Sequence, residues 1–308
     1  MQLYLPIAEL TVNILLFLGV GGAVGFVSGL FGVGGGFLLT PLLIFTGVAP
    51  AVAVATVAPQ IVASSASAAI SYWRRRLIDE KMSLILLSGG MIGSAAGVYV
   101  FRALRTLGQL DLILGLAYVT FLGIVGGLML RESLGAIIRS RAGRPPAGRR
   151  PGQHNWVHGL PLKVRFRRSK IYVSVLPVVA LGFGIGFLGT ELGIGGGFLL
   201  VPALIYLLRV PTSVVIGTSL AYIVCTMALA TVLHAIANGS VDIVLALLLM
   251  IGGVIGAQFG AQVGQTLRGE HLRALLAIIV LAVATRFLLG LFLTPADIYS
   301  FEILGALP

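Results

Sequence analysis

Gly25-Phe-Val-Ser-Gly-Leu-Phe-Gly-Val-Gly-Gly-Gly-Phe-Leu-Leu-Thr-Pro41 is answered 161 residues later by Gly186-Phe-Leu-Gly-Thr-Glu-Leu-Gly-Ile-Gly-Gly-Gly-Phe-Leu-Leu-Val-Pro202. An apolar stretch enters each copy and another leaves it. The consecutive glycines Gly34, Gly35 and Gly36, and again Gly195, Gly196 and Gly197, sit badly inside a helix, where each costs about 1 kcal/mol relative to alanine. Two helices are therefore expected to break at matching points.

The rest of the chain says what those helices cross. It has 308 residues, 58% hydrophobic and 10% charged, with a mean hydropathy of +1.06. Soluble domains run to roughly 25% charged residues. Several apolar runs approach the ~20 residues that span a bilayer, and none shows the short alternating segments of an outer-membrane barrel. The expected fold is all-α, a polytopic transmembrane helical bundle, with any strands unimportant.

Apolar segments are expected at residues 11–29, 37–46, 51–72, 82–101 and 111–130, then again at 171–190, 198–208, 213–237, 241–265 and 271–293. The second set repeats the first, with an offset of 161 at the glycine run and 163 at two glycine columns, Gly89/Gly93/Gly97 and Gly252/Gly256/Gly260. Small residues at four-residue spacing suit close helix packing. Three units follow: an N-terminal repeat over 1–130, a basic linker over 131–170, and a C-terminal repeat over 171–308. Eight to ten membrane segments are expected.

Net charge is +11, and eleven of the 21 Lys and Arg lie within residues 131–170. Basic loops stay cytoplasmic and can touch anionic lipid. With this loop inside, Arg74, Arg75, Arg76 and Lys81 are also inside, and only Arg102 and Arg105 fall outside. The count works if each glycine-broken pair enters and leaves on one face, which makes five elements per half and inverts the halves. Inverted repeats with broken helices at matching positions are a transporter design. Residues 1–9 lack a basic residue and do not read as a cleaved signal peptide. A lone Cys225 permits no internal disulfide.

Half-helices starting at the two breaks point unpaired N–H groups and positive dipole ends at a common centre, a site for an anion. The glycines let a ligand reach the backbone; packing alone is the competing account. Thr56, Gln60 and Ser64, with Thr218 and Ser219 in the second half, could add side-chain donors. Glu191, an acidic residue in an apolar run, is a candidate proton-coupling group. Arg286 is expected to snorkel or to help hold an anion. His234 reads as an interfacial histidine. No metal-ligand or Ser–His pattern appears, so neither enzyme activity, metal nor cofactor is expected. The partners expected are a small anion and the lipid bilayer, with a second copy of the chain as a candidate and no nucleic acid.

The doubled Gly-Val/Ile-Gly-Gly-Gly-Phe-Leu-Leu-Thr/Val-Pro and Gly217-Thr218-Ser219 resemble the TauE/SafE sulfite exporter family, also called toluene-sulfonate uptake permeases. Gln60-Ile-Val-Ala-Ser-Ser65 and Trp73-Arg-Arg-Arg76 resemble one bacterial branch of it. The likeness covers nearly all the chain outside 139–170. It implies a bacterial inner-membrane transporter of sulfite, sulfonates or sulfoacetate, working by alternating access and driven by protons or the membrane potential. Some members carry other small acids. The first half departs from the pattern at Ala55-Thr56-Val57, and the second at Glu191. The rival classes are an anion channel of the same fold, an intramembrane Ser–His protease and a membrane-anchored nucleic-acid binder.

Overall fold

A computed structural model describes residues 2–31, 34–141, 162–166, 168–169, 171–208, 210, 212–264 and 269–292. Most of the basic linker, residues 142–161, and the C-terminal residues 293–308 lie outside them.

The two halves are built alike. The first runs β1 (Gln2–Leu5), β2 (Leu10–Asn13), α1 (Ile14–Phe31), α2 (Gly36–Phe45), α3 (Pro50–Arg74), α4 (Glu80–Thr106) and α5 (Leu110–Arg141). The second runs β3 (Lys163–Phe166), β4 (Ile171–Ser174), α6 (Val175–Glu191), α7 (Gly197–Tyr206), α8 (Thr212–Asn238), α9 (Ile243–Gly264) and α10 (Gly269–Phe292). Among the described residues, six helices are long and apolar enough to cross a membrane: α3, α4, α5, α8, α9 and α10. α1 and α6, at 18 and 17 residues, reach about 26 Å at 1.5 Å per residue. α2 and α7 have 10 residues each and reach about 15 Å, half a bilayer. The protein is a multi-pass helical membrane protein. Its outward surfaces carry exposed large apolar side chains, such as Ile92, Leu116, Ile124, Ile255 and Ile278.

Three features differ from the sequence reading. α5 continues eleven residues past Leu130, into what reads as linker. Two antiparallel hairpins, β1–β2 and β3–β4, precede α1 and α6. Helix ends elsewhere differ by a few residues, as at α4, which runs to Thr106 rather than residue 101.

The glycine columns explain how the halves engage. α1 packs on α9, and α6 on α4, so each half's first helix lies against the other half's fourth. A Cβ at Gly25 would meet the Gly253 carbonyl, and one at Gly29 that of Ala257. In return, Gly256 faces the Gly22 carbonyl and Gly260 that of Phe26. The second seam repeats this, with Gly89 against Val179, Gly93 against Phe183, Gly182 against Leu86 and Gly186 against Gly90. In both seams the numbers rise together, so the paired helices run parallel. Close backbone approach of this kind needs small residues at the crossing.

The ends of the bundle are tied by two buried aspartates. Asp242 caps α9, its Oδ1 accepting from the amides of Val244 (3.1 Å) and Leu245 (3.0 Å). Its Oδ2 accepts from the amides of Ile7 (3.0 Å) and Ala8 (3.3 Å) in the β1–β2 turn. Its own amide donates to Thr56 Oγ1 of α3 (3.0 Å). Asp79 repeats the device for α4. Its Oδ1 accepts from Met82 N (3.2 Å), and its Oδ2 from Ser169 N (2.9 Å) and Ser169 Oγ (2.7 Å) beside β3–β4. Its amide donates to Thr218 Oγ1 of α8 (3.1 Å).

These bonds fix directions. The start of α3 lies beside residue 242, just after α8 ends. The start of α8 lies beside residue 79, just after α3 ends. α3 and α8 therefore run antiparallel. The broken pair α1–α2 also begins and ends beside Asp242, and α6–α7 begins and ends beside Asp79. One end of the bundle then carries Arg74, Arg75, Arg76 and Lys81 and receives β3–β4. The other carries Arg105, whose Nη1 donates to Asn238 O (2.7 Å) and Ser240 Oγ (2.9 Å).

Candidate functional site at the helix breaks

Both breaks are held open by glycines in the left-handed region. Gly34 has φ +82°, and Gly195 and Gly196 have +79° and +72°. A side chain there costs on the order of 1 kcal/mol or more. Gly35, the counterpart of Gly196, has φ −78°, so the two breaks are related in sequence but differ in conformation. Leu38 and Leu39 donate to Gly35 O, and Leu199 and Leu200 to Gly196 O. The amides that lack a helical acceptor at each start are those of Gly36 and Phe37, and of Gly197 and Phe198.

The structure brings the two half-helices together. Phe37 and Phe198, matching residues, stack with centroids 4.8 Å apart at 14°. Thr40 Oγ1 donates to Gly193 O (3.0 Å), and Tyr118 OH donates to Leu192 O. A Cβ at Gly36 would stand 2.7 Å from Gly193 O and 2.8 Å from Ile194 O. Backbone meets backbone here, and the carbonyls of residues 192 and 193 find hydroxyl donors.

Space for a ligand lies beside the first break. A cavity of about 100 Å³ is lined by Gly34, Ser28, Ser64, Ser65 and Tyr72, with Gly29, Ala68, Ile216, Leu220 and Ala257 completing the wall. Tyr72 and Ala68 near the end of α3, and Leu220 near the start of α8, put it on the Arg74 side. Among the described residues, no charged side chain is part of the wall. Its volume is below the ~150 Å³ that accommodates benzene.

The candidate side chains divide by their bonding. Ser64 Oγ bonds back to Ile61 O (3.2 Å). Ser65 Oγ and Ser219 Oγ are buried without partners, and so are both amide atoms of Gln60, which is fully buried. Gln60 Nε2 occupies the space that a Cβ at Gly253 would need. An unpaired buried polar group costs about 1–3 kcal/mol, and the free atoms of Gln60 and Ser65, on the helix that follows the first break, are groups that a ligand could satisfy. Thr56 and Thr218 are placed at helix starts with Oγ1 accepting the aspartate amides, and neither lines the cavity. Arg286 lies over the Phe45 ring, 5.3 Å from its centroid.

Beside the second break the polar groups touch one another. Ser94 Oγ and Thr190 Oγ1 are 2.7 Å apart, and Ser94 Oγ also reaches Thr226 O (3.4 Å). His234 Nδ1 pairs with Asn238 Nδ2 (2.9 Å). The imidazole stands against the Thr190 backbone, but Nε2 makes no well-formed hydrogen bond. Glu191 closes α6, buried, with Oε1 unpartnered. Sequence reasoning missed Asp79, Asp242 and Ser94. The signal for the aspartates was present: one Asp just before an apolar helix in each half, 163 residues apart.

The comparisons agree with this architecture. The family model for the sulfite exporter TauE/SafE matches residues 17–287. A "Probable membrane transporter protein" of Xylella fastidiosa (strain 9a5c) is 32% identical over 283 residues, covering 88% of this chain and 94% of the relative. The "Probable membrane transporter protein YunE" of Bacillus subtilis (strain 168) is 28% identical over 275 residues, with coverage of 86% and 93%. The "Sulfite exporter TauE/SafE family protein 3" of Arabidopsis thaliana matches over 119 residues at 32% identity, 37% of this chain and 25% of that one. No solved structure matches the chain. With two matched helix breaks, two glycine seams and a family match across nearly the whole membrane region, the chain belongs to the sulfite exporter TauE/SafE family.

Proposed function

We propose that this chain is a secondary transporter that exports small sulfur-containing oxyanions such as sulfite, short sulfonates or sulfoacetate. It works by alternating access between two inverted halves in a bacterial inner membrane, with residues 131–170 cytoplasmic. The observation that carries the reading is the cavity at Gly34. It is small and mostly apolar, with Ser28, Ser64, Ser65 and Tyr72 in its wall and no charged side chain there among the described residues, beside the N-terminus of α2, whose dipole favours an anion. Its volume favours sulfite or a one- or two-carbon sulfonate over an aryl sulfonate. In this reading Gly34, Gly35 and Gly36 receive the anion on the Arg74 side, with Ser65, Ser64 and Gln60 as selecting groups. Gly195, Gly196, Gly197 and Ser219 serve the opposite half. Thr56 and Thr218 act through the aspartates they bond.

The antiparallel α3 and α8 and the broken pairs that return to their starting ends support the inversion. The gathering of Arg74, Arg75, Arg76 and Lys81 at one end supports the orientation. Glu191 carries the coupling proton. Titratable groups on the neighbouring helices include Tyr118 of α5, Tyr222 and His234 of α8, and Tyr99, Arg102 and Arg105 in the last turns of α4.

Proteoliposomes test this. Labelled sulfite and methanesulfonate should enter saturably, show counterflow, and respond to an imposed pH gradient. Conductance without saturation would indicate a channel, and movement of neither anion would refute the reading.

A further inference from the structure

The cavity beside Gly34 has a counterpart that is closed. The internal repeat relates Gly29 to Thr190, Ser64 to Thr226, Ala68 to Ala230, Tyr72 to His234 and Ala257 to Ser94, with offsets of 161 to 163. Where the first set surrounds a cavity, the second is in contact. Ser94 and Thr190 share a 2.7 Å hydrogen bond, Ser94 reaches Thr226 O, and His234 stands against Thr190. Ser94 and Thr226 are fully buried, and Thr190, His234 and Ala230 nearly so. His234 Nε2 and Glu191 Oε1 remain unpartnered inside this cluster's surroundings. The cluster lies toward the Arg105 end, because Asn238 joins His234 to the backbone carbonyl that Arg105 holds.

We propose that Ser94, Thr190, Thr226 and His234 form a second site for the same small oxyanions, opening toward the Arg105 end as the Gly34 cavity closes. The inference rests on the transport reading above. The Ser94 and Thr190 hydroxyls and the His234 imidazole offer donors to an oxyanion, while the Thr226 hydroxyl donates back to Tyr222 O (2.9 Å) and shapes the wall. These groups lie on α4, α6 and α8, the elements equivalent to those around the cavity. The Ser94–Thr190 bond is the closed form of this site, and its donors become available to the anion when Ser94 of α4 and Thr190 of α6 part there. The site is not a copy of the first. Glu191 stands where the first half has Leu30, and His234 where it has Tyr72, so the anion shares this side with a group that can hold a proton.

Single-cysteine variants in a Cys225→Ser background test the proposal in right-side-out and inverted vesicles, using a small membrane-impermeant thiosulfonate and sulfite as the probe anion. Ala68→Cys and Ser65→Cys should be modified from the Arg74 side, and Ala230→Cys and Ser94→Cys from the Arg105 side. Saturating sulfite on one side should move the two labelling rates in opposite directions. Ser94→Ala should raise the sulfite KM measured from the Arg105 side about tenfold, the scale of one hydrogen bond to a charged group. If the parent carries sulfite while Ala230→Cys and Ser94→Cys are unreactive from the Arg105 side, or react from the same side as Ala68→Cys, the second site is wrong and the transport reading stands. If the Cys225→Ser parent carries no sulfite, both fall.

Discussion

Replacing Asp242 by alanine removes four accepted hydrogen bonds at once. Losing the cap on α9 costs about 1 kcal/mol. The two amides of the β1–β2 turn bond a charged oxygen, and at about 1.5 kcal/mol each they add about 3 kcal/mol. The total is about 4 kcal/mol, or a fall of about 8 °C in Tm at about 2 °C per kcal/mol for a chain this long. Asp242→Asn keeps one oxygen acceptor, enough for the cap or the turn but not both, so about half the loss is expected. Thermal unfolding in detergent gives the magnitude. Hydrogen exchange gives the place: the amides of Ile7 and Ala8 should lose protection, while that of Ser169, held by Asp79, should keep it. Asp79→Ala should reverse the pattern. A Tm within about 2 °C of the parent for Asp242→Ala, or equal exchange at both ends, would refute the view that each aspartate locks one end.

Other substitutions probe the breaks and seams. Gly196→Ala places a side chain at φ +72° and against Ile185 and should cost at least about 1 kcal/mol. Gly184→Ala, which meets nothing within 4 Å, should be neutral or stabilising by up to about 1 kcal/mol, as read by the same melts. Gly256→Leu drives a side chain into the Gly22 carbonyl and should leave little monodisperse protein by size exclusion. Gln60→Leu removes two unpaired buried polar atoms; it should hold or raise Tm while sulfite transport falls about tenfold, and unchanged transport would remove Gln60 from the site.

The helices and their two breaks were legible because hydropathy and consecutive glycines are local signals. Gly34 and Gly195 do hold φ values that other residues resist. The hairpins were not legible: four-residue strands such as Leu10–Asn13 and Ile171–Ser174 run straight into apolar helices, so the alternation has no room to show. α5 outran its expected end because Arg131 and Glu132 mark a loss of hydropathy rather than a loss of helix, and both suit a helix in water. The candidate site was legible in part. Gln60 and Ser219 stand out by type and position, and the structure leaves their polar atoms buried and unpaired without placing either in the cavity wall. Thr56 and Thr218 looked like ligand donors because a hydroxyl in an apolar span has few local explanations. Their aspartate partners lie 186 and 139 residues away, a distance that no window along the chain can see.

The glycine seams also bear on how the chain is made. Gly21 and Gly25 of α1 find their partners, Leu249 and Gly253, only after more than two hundred further residues have been synthesised. Until then α1 offers the bilayer a groove without side chains, with nothing to fill it. Contacts so distant in sequence form late and slowly. The first half therefore enters the membrane as an incomplete body, and the second does not dock onto it so much as finish it. α6 is the exception in timing: its partner α4 is already in place when it emerges. The two glycine seams thus close in order, α4–α6 before α1–α9.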